Sequence, residues 1–235
     1  FQPELAATLK RIQKNGLAGF YEGKTAKLIV KEMKNGGGFI TKSDLKSYHP
    51  KFRTPIEFDY KNHHIITFAP PSSGGIIIAQ MLKMIAPYDI AKMGLNTFES
   101  VNLMVEAQRR AYADRAEHMG DPDYWRVPTK TMVSDAYATD RMKDFQPGVA
   151  GSSKITLAGV PKESEQTTHF STMDIEGNMV SNTTTLNGSY GNRTVVGGAG
   201  FLLNNEMDDF SVKPGVPNMF GAIGGEANSI QAGKR

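Results

Sequence analysis

The chain has no cysteine among its 235 residues. That excludes disulfides, a cysteine nucleophile and thiolate metal sites, without fixing a compartment. It has no apolar run near the length of a bilayer-spanning helix, so no transmembrane segment is expected. Net charge is only +3 and dispersed, which argues against a nucleic-acid partner. The five histidines, His49, His63, His64, His118 and His169, lack the paired helical spacing of a zinc hydrolase. Neither a metal nor another cofactor is expected. No Gly-x-Ser-x-Gly elbow is present either, so Ser73 is expected as a helix cap rather than a nucleophile. No signal peptide or initiator methionine is visible at Phe1-Gln2-Pro3, and the expectation is an excised piece of a longer polypeptide.

What is present has the ordinary balance of a globular protein, 39% hydrophobic and 22% charged residues. Its length suffices for a sizeable core. Pro3–Lys14 reads as a helix with Leu5, Leu9 and Ile12 on one face and Asn15-Gly16 as its stop. Ala18–Thr25 fits a relaxed phosphate-loop pattern. A helix rather than a strand precedes it, so it reads as a helix-to-helix turn. Helices are expected over Thr25–Lys34 and Ser43–Ser47. Thr54–Tyr60 alternates as a strand, Lys61-Asn62 turns, and His64–Ala69 returns as a more buried strand.

A helix to about Ile85 should follow Pro70-Pro71-Ser72-Ser73-Gly74-Gly75. The longest helix, Asn96–His118, should bury Phe98, Val101, Val105 and Tyr112, with Asn96 and Glu99 as a capping box. Gly120–Pro128 reads as a loop and Ser134–Phe145 as a further helix. Gln146–Gln166 reads as a linker, poorly packed from Gly148 to Glu165. Beyond it the pattern turns to strands and glycine-rich loops.

The chemistry centres on Glu165-Gln166-Thr167-Thr168-His169-Phe170-Ser171. A polar linker ending at a Thr-Thr strand start suits an autocleaved N-terminal nucleophile. Once the Gln166–Thr167 bond breaks, Thr167 carries a hydroxyl and a free α-amine. Such an amine, with a reference pKa of about 7.7–8.0, serves as a base near neutral pH. The bland alternative is ordinary strand chemistry. If Val180–Leu186 pairs antiparallel with Thr167–Met173 through the Gly177 turn, Thr185 comes close to Thr167. His169 falls on the face of Thr167. It reads as packing, with a part in the site as the alternative. Glu206, Asp208 and Asp209 crowd negative charge, which calls for a cation or strong donors among them, and a substrate ammonium is such a cation. A solvated acidic turn or a calcium-like site is the alternative.

Several stretches together resemble the γ-glutamyltransferase family. They are the Thr167 motif, Thr183-Thr184-Thr185-Leu186-Asn187, Gly200 through Ser211, Pro214-Gly215-Val216-Pro217-Asn218 and Gly224-Gly225-Glu226-Ala227-Asn228. Upstream, Pro70 through Gly75 and Tyr112 through Tyr124 match as well, so the resemblance covers essentially the whole chain. It implies an α+β fold, the four-layer αββα sandwich of N-terminal nucleophile hydrolases, here incomplete. Residues 1–166 would be the end of the large subunit and 167–235 the start of the small one, the two forming a heterodimer after cleavage.

The implied activity is γ-glutamyl transfer from glutathione-like donors to water or to an amino-acid or peptide acceptor. Thr167 would be the nucleophile and Thr185 its partner. Asn187, Glu206 and Asp209 would bind the donor's α-amino group, and Phe220 would gate a mobile lid where many members carry tyrosine. A β-lactam acylase or poly-γ-glutamate-processing relative is the neighbouring possibility, and a non-catalytic module the distant one. The resemblance also implies a periplasmic or secreted parent. The arginine for the donor's α-carboxylate and the oxyanion hole would lie outside this chain, which alone is not expected to turn over substrate.

Overall fold

The computed structural model describes residues 1–152 and 168–235. The described residues form two compact units. One takes in Phe1–Lys51 and the described part of Ser164–Met207. The other takes in the described part of Phe52–Glu163 together with Asp208–Arg235.

The first unit begins with three helices, α1 (Pro3–Asn15), the short α2 (Ala18–Tyr21) and α3 (Gly23–Gly36). Residues 18–25 do turn one helix into the next, with no strand before them. Thr25 Oγ1 donates to the Gly19 carbonyl at 2.7 Å and accepts from Arg11 Nε at 2.9 Å. α4 (Lys42–Ser47) starts at a capping box: Asp44 N donates to Thr41 Oγ1 at 3.2 Å, and Asp44 Oδ2 accepts from Thr41 N at 2.7 Å. A cap of this kind is worth about 1 kcal/mol. Ala26, Ile29, Leu45, Val196 and Ala199 form this unit's core. On α1 the buried residue is Thr8, whose hydroxyl donates to the Ala199 carbonyl at 2.7 Å, whereas Leu9 is exposed.

In the second unit, β1 (Ile56–Tyr60) and β2 (His63–Thr67) form a hairpin closed by Lys61-Asn62, with Tyr60 paired to His63. The buried strand is β1, through Ile56 and Phe58, and not the return strand as its composition suggests. α5 (Gly74–Ile85) lies against this hairpin. A Cβ at Gly75 would collide with the Phe68 carbonyl, so only glycine permits that approach. α6 (Ile90–Met93) leads to α7 (Phe98–His118), followed by α8 (Thr129–Met132) and α9 (Asp135–Arg141). Two apolar clusters hold the unit. One groups Ile56, Phe58, Ile76 and Met132; the other groups Met84, Leu103, Ala107 and Met142. Full burial of a side chain such as Ile76 or Leu103 is worth about 1.5–3 kcal/mol.

α7 overturns the expected amphipathicity. Phe98, Val101 and Val105 are 64%, 46% and 42% exposed, while Asn102, Glu106, Arg110 and Asp114 are buried beside Leu103, Ala107 and Ala111. These are two adjacent rows spaced by four residues, one polar and one small and apolar. The polar row is satisfied by other elements. Arg110 reaches Glu106 at 2.7 Å and Asp144 at 2.8 Å, and Arg141 reaches Asp114 at 3.2 Å. Hydropathy periodicity cannot see partners supplied from elsewhere in the chain. The N-cap differs as well: Thr97 accepts from Ser100 N at 3.3 Å, and Asn96 takes a left-handed conformation with φ of 54°.

The start of the linker is also better held than its composition suggests. Asn102 Oδ1 accepts from Gly148 N at 3.1 Å, and Asn102 Nδ2 donates to the Val149 carbonyl at 3.1 Å. Gly151 N donates to Glu106 Oε1 at 2.8 Å. The rest of the expected linker, with Gln166 and Thr167, lies outside the described residues.

Two further short strand pairs, with turns, complete the described residues. β3 (Thr168–Met173) and β4 (Met179–Thr184) form an antiparallel hairpin in the first unit, and β5 (Val195–Val196) pairs with β6 (Phe201–Leu202). The described sheets are all two-stranded, and β3 and β4 are exposed on both faces. The described residues are thus a mixture of helix and strand, and the four-layer sandwich is not seen in them.

Candidate active site

The β3–β4 hairpin turns through Asp174–Asn178. Asp174 Oδ1 accepts from Asn178 N at 2.8 Å, and Gly177 adopts a φ of 85° that favours glycine. Its register runs from Met173↔Met179 to Thr168↔Thr184. On this ladder His169 Nδ1 lies 2.8 Å from Thr183 Oγ1, and His169 Nε2 lies 2.9 Å from Ser181 Oγ.

Thr185 follows the last pair. Its Oγ1 accepts from Asn187 N at 2.9 Å, a local side-chain-to-backbone turn at the strand end. Asn187 consequently has φ of 72° and is 5% exposed. Its Nδ2 donates to the Asn205 carbonyl at 3.0 Å, and Oδ1 is the acceptor end of the amide. Asn205 in turn accepts from Gly188 N through Oδ1 at 2.8 Å and donates its N–H to the Leu186 carbonyl at 3.1 Å. The Thr185–Asn187 turn is thereby locked to the residue immediately before the acidic cluster. Composition and spacing alone do not single out Asn205. The signal for its role is the Asn204-Asn205 pair ahead of Glu206, because asparagine both accepts from and donates to backbone.

Glu206–Asp209 is a single 3-10 turn, begun by Glu206 N donating to Asn204 Oδ1 at 3.0 Å. Its last two residues belong to the second unit. There Asp208 Oδ2 accepts from Met219 N at 3.1 Å, and the Asp209 carbonyl accepts from Asn228 Nδ2 at 2.7 Å. The Asp209 side chain is exposed and makes no ion pair among the described residues. A groove of about 180 Å³ is lined by Asp208, Asp209, Ser211, Asn218 and Arg115.

Phe220 stands in a closed loop. Gly215 N donates to the Gly224 carbonyl at 3.0 Å, and Asn218 N to the Ala222 carbonyl at 2.9 Å. Asn218 Oδ1 accepts from both Phe220 N at 3.1 Å and Ala222 N at 2.9 Å. Within its motif nothing marks Asn218 for this role except Asn-Met-Phe-Gly, the pattern of an asparagine-initiated turn. Arg115 carries no such local mark, and its Nε donates to Ser73 Oγ at 3.1 Å. Ser73 is therefore not a cap. Its backbone is already helical, with ψ of −21°, and its hydroxyl is used by Arg115. Among the described residues no three of His, Asp and Glu converge as a metal set.

The structure thus brings together Thr185, Asn187 and, through Asn204 and Asn205, Glu206 in one unit. It puts Asp209 in a groove of the other, with Phe220 on the loop that borders this groove. The profile of one family, gamma-glutamyltranspeptidase, matches residues 1–235. The chain belongs to the gamma-glutamyltranspeptidase family. It is 44% identical over its whole length to the glutathione hydrolase proenzyme of Escherichia coli K12, of which it spans 41%. The chain therefore corresponds to about two fifths of that curated relative. Among solved structures, the gamma-glutamyltranspeptidase of Helicobacter pylori superposes with a TM-score of 0.63 at 40% identity. That match covers 65% of this chain and 44% of the other. A cephalosporin acylase from Bacillus halodurans superposes on all of this chain, and 40% of its own, with a TM-score of 0.77 at 26% identity. Family membership agrees with the resemblance read from the motifs, and both transpeptidases and acylases share this scaffold.

Proposed function

We propose that the full-length protein carrying this chain cleaves itself at Gln166–Thr167 and then transfers γ-glutamyl groups from glutathione-like donors to water or to an amine acceptor. The supporting observation is the β3–β4 register. Its pairs run to Thr168↔Thr184, so the residues bonded next along the chain at this end of the hairpin are Thr167 and Thr185. Two hydroxyls there suit a nucleophile and the group that holds it in attacking geometry.

In this reading, Thr167 Oγ attacks the γ-carbonyl while its own α-amine takes the hydroxyl proton. The tetrahedral adduct expels the donor's amine, which receives that proton, and leaves a γ-glutamyl ester on Thr167. Water or an acceptor amine then attacks the ester, with the α-amine again carrying the proton. Asn187 Oδ1, Glu206 and Asp209 are acceptors suited to the donor's α-ammonium. Phe220 lies on the loop that would cover the bound donor. Self-cleavage begins with Thr167 Oγ attacking the Gln166 carbonyl: the Gln166–Thr167 C–N bond breaks, the nitrogen leaves protonated as the Thr167 α-amine, and hydrolysis of the resulting Gln166 ester frees the hydroxyl and a Gln166 carboxylate. Residues 1–166 and 167–235 then belong to the large and small subunits of a heterodimer. The exposed faces of the hairpin belong inside a four-layer sandwich completed by the rest of the polypeptide. A periplasmic or secreted parent is part of the same proposal, checked by cell fractionation.

The match to the cephalosporin acylase along the whole chain favours β-lactam acylase as the second reading. Mass and N-terminal sequence of the purified full-length protein, with assays on glutathione and on an acylated cephalosporin, decide between them. A new N-terminus at Thr167 with glutathione turnover is expected. Cephalosporin turnover alone would select the acylase, and a processed, active Thr167→Ala variant would sink the nucleophile in both.

A further inference from the structure

His169 is the hub of a side-chain network that ties the two strands of the hairpin together. Its Nδ1 lies 2.8 Å from Thr183 Oγ1, directly across the register. Its Nε2 lies 2.9 Å from Ser181 Oγ and 3.2 Å from Ser171 Oγ, which themselves pair two residues along the ladder. Alternation assigns His169 and Ser171 on β3 and Ser181, Thr183 and Thr185 around β4 to one face, with Phe170 and Val180 on the other. That face ends in the apolar Met173–Met179 pair at the turn, but from Ser171 and Ser181 onward its groups can hydrogen-bond, and the imidazole joins three of them through both ring nitrogens.

This arrangement matters because the backbone ladder alone specifies the hairpin poorly. Two strands without a covering layer are marginal, and a slip of one residue would move every side chain to the opposite face. Such a slip would carry Thr185 away from the face of His169. A slip of one residue would turn both Thr183 and Ser181 to the face opposite the imidazole, so these contacts favour the observed register over that slip. These contacts lie within the strand pair itself, independent of any layer packed against it.

We propose that His169 is a positioning residue, holding β3 and β4 in their observed register and so fixing where Thr185 stands at the end of β4. It touches neither substrate nor scissile bond, and acts through Thr183 and Ser181. The proposal rests on the assignment of Thr167 and Thr185 made above. The test is a double-mutant cycle of His169→Ala and Thr183→Val in the full-length precursor. Self-cleavage is followed by gel, and kcat and KM are measured with a chromogenic γ-glutamyl anilide. Loss of geometry without loss of binding should slow self-cleavage and lower kcat by about tenfold or more in each single variant, with KM within about twofold. The double variant should be no slower than the slower single, because both changes cut one link. If His169→Ala yields no folded protein, the cycle is run with His169→Asn, whose amide is long enough for only one of the two partners. Losses that multiply, or a raised KM with unchanged kcat, overturn the proposal. Wild-type rates in His169→Ala with an N-terminus at Thr167 would remove this inference alone. No cleavage at Thr167 in the wild type would remove the assignment beneath it.

Discussion

Glu106 and Arg110 form an ion pair of 2.7 Å inside the buried face of α7, with Glu106 only 2% exposed. Burial alone would raise the Glu106 carboxyl. The hydrogen bond from Arg110, the Gly151 amide and the charge of Arg109 outweigh it and hold the carboxyl below its ordinary value. The same carboxylate therefore ties α7 to the start of the linker.

Removing one partner of a buried pair strands the other, at about 3–5 kcal/mol. Glu106→Ala should accordingly lower the unfolding midpoint of the full-length protein sharply. The pH dependence has a definite sign. A carboxyl with a lowered folded-state pKa stabilises above its unfolded-state pKa, and that contribution is lost as pH falls through the folded-state value. The gap in melting temperature between wild type and Glu106→Gln should thus shrink on acidification below the ordinary carboxylate range. A gap that stays constant from neutral pH into that range would show that Glu106 is not an ionised partner of Arg110.

Asp209→Ala should weaken donor binding in the full-length enzyme while leaving self-cleavage nearly intact, because cleavage involves no substrate ammonium. The energy involved is that of a hydrogen bond to a charged group, about 1.5–3 kcal/mol, or roughly tenfold to a hundredfold in affinity. Competition by a non-reactive donor analogue measures it directly. Unchanged affinity would take Asp209 out of the site.

Asn218→Ala should open the loop that carries Phe220. The side chain accepts from Phe220 N and Ala222 N and donates to the Asp208 carbonyl at 3.3 Å, so three bonds go at once. Limited proteolysis should cut within residues 214–225 several-fold faster, with a smaller effect on global unfolding because the loop is largely exposed. Equal cutting rates in variant and wild type would assign the loop's order to something other than Asn218.

The local elements were legible in the sequence wherever the cause is local. Pro3 starts α1, and the Gly36-Gly37-Gly38 run stops α3 with Gly37 in the left-handed conformation. Lys61-Asn62 and Asp174–Asn178 turn the two hairpins, and Thr185 and Asn187 fall at the end of β4 as their motif suggests. Each depends on backbone preferences and hydrogen bonds spanning a few residues, which composition and spacing encode directly. What tertiary structure alone decided is where polar groups find partners. Periodicity assigned the buried side of α7 to Phe98, Val101 and Val105. Asp144, Arg141 and Gly151 instead supply the bonds that let Glu106, Arg110 and Asp114 go inside. Ser73 looked like a cap until Arg115, 42 positions away, took its hydroxyl. Asn102 holds Gly148 and Val149 across a similar gap in sequence. A buried charge is costly or harmless according to whether a partner arrives from a distant part of the chain, and no window of sequence contains that information.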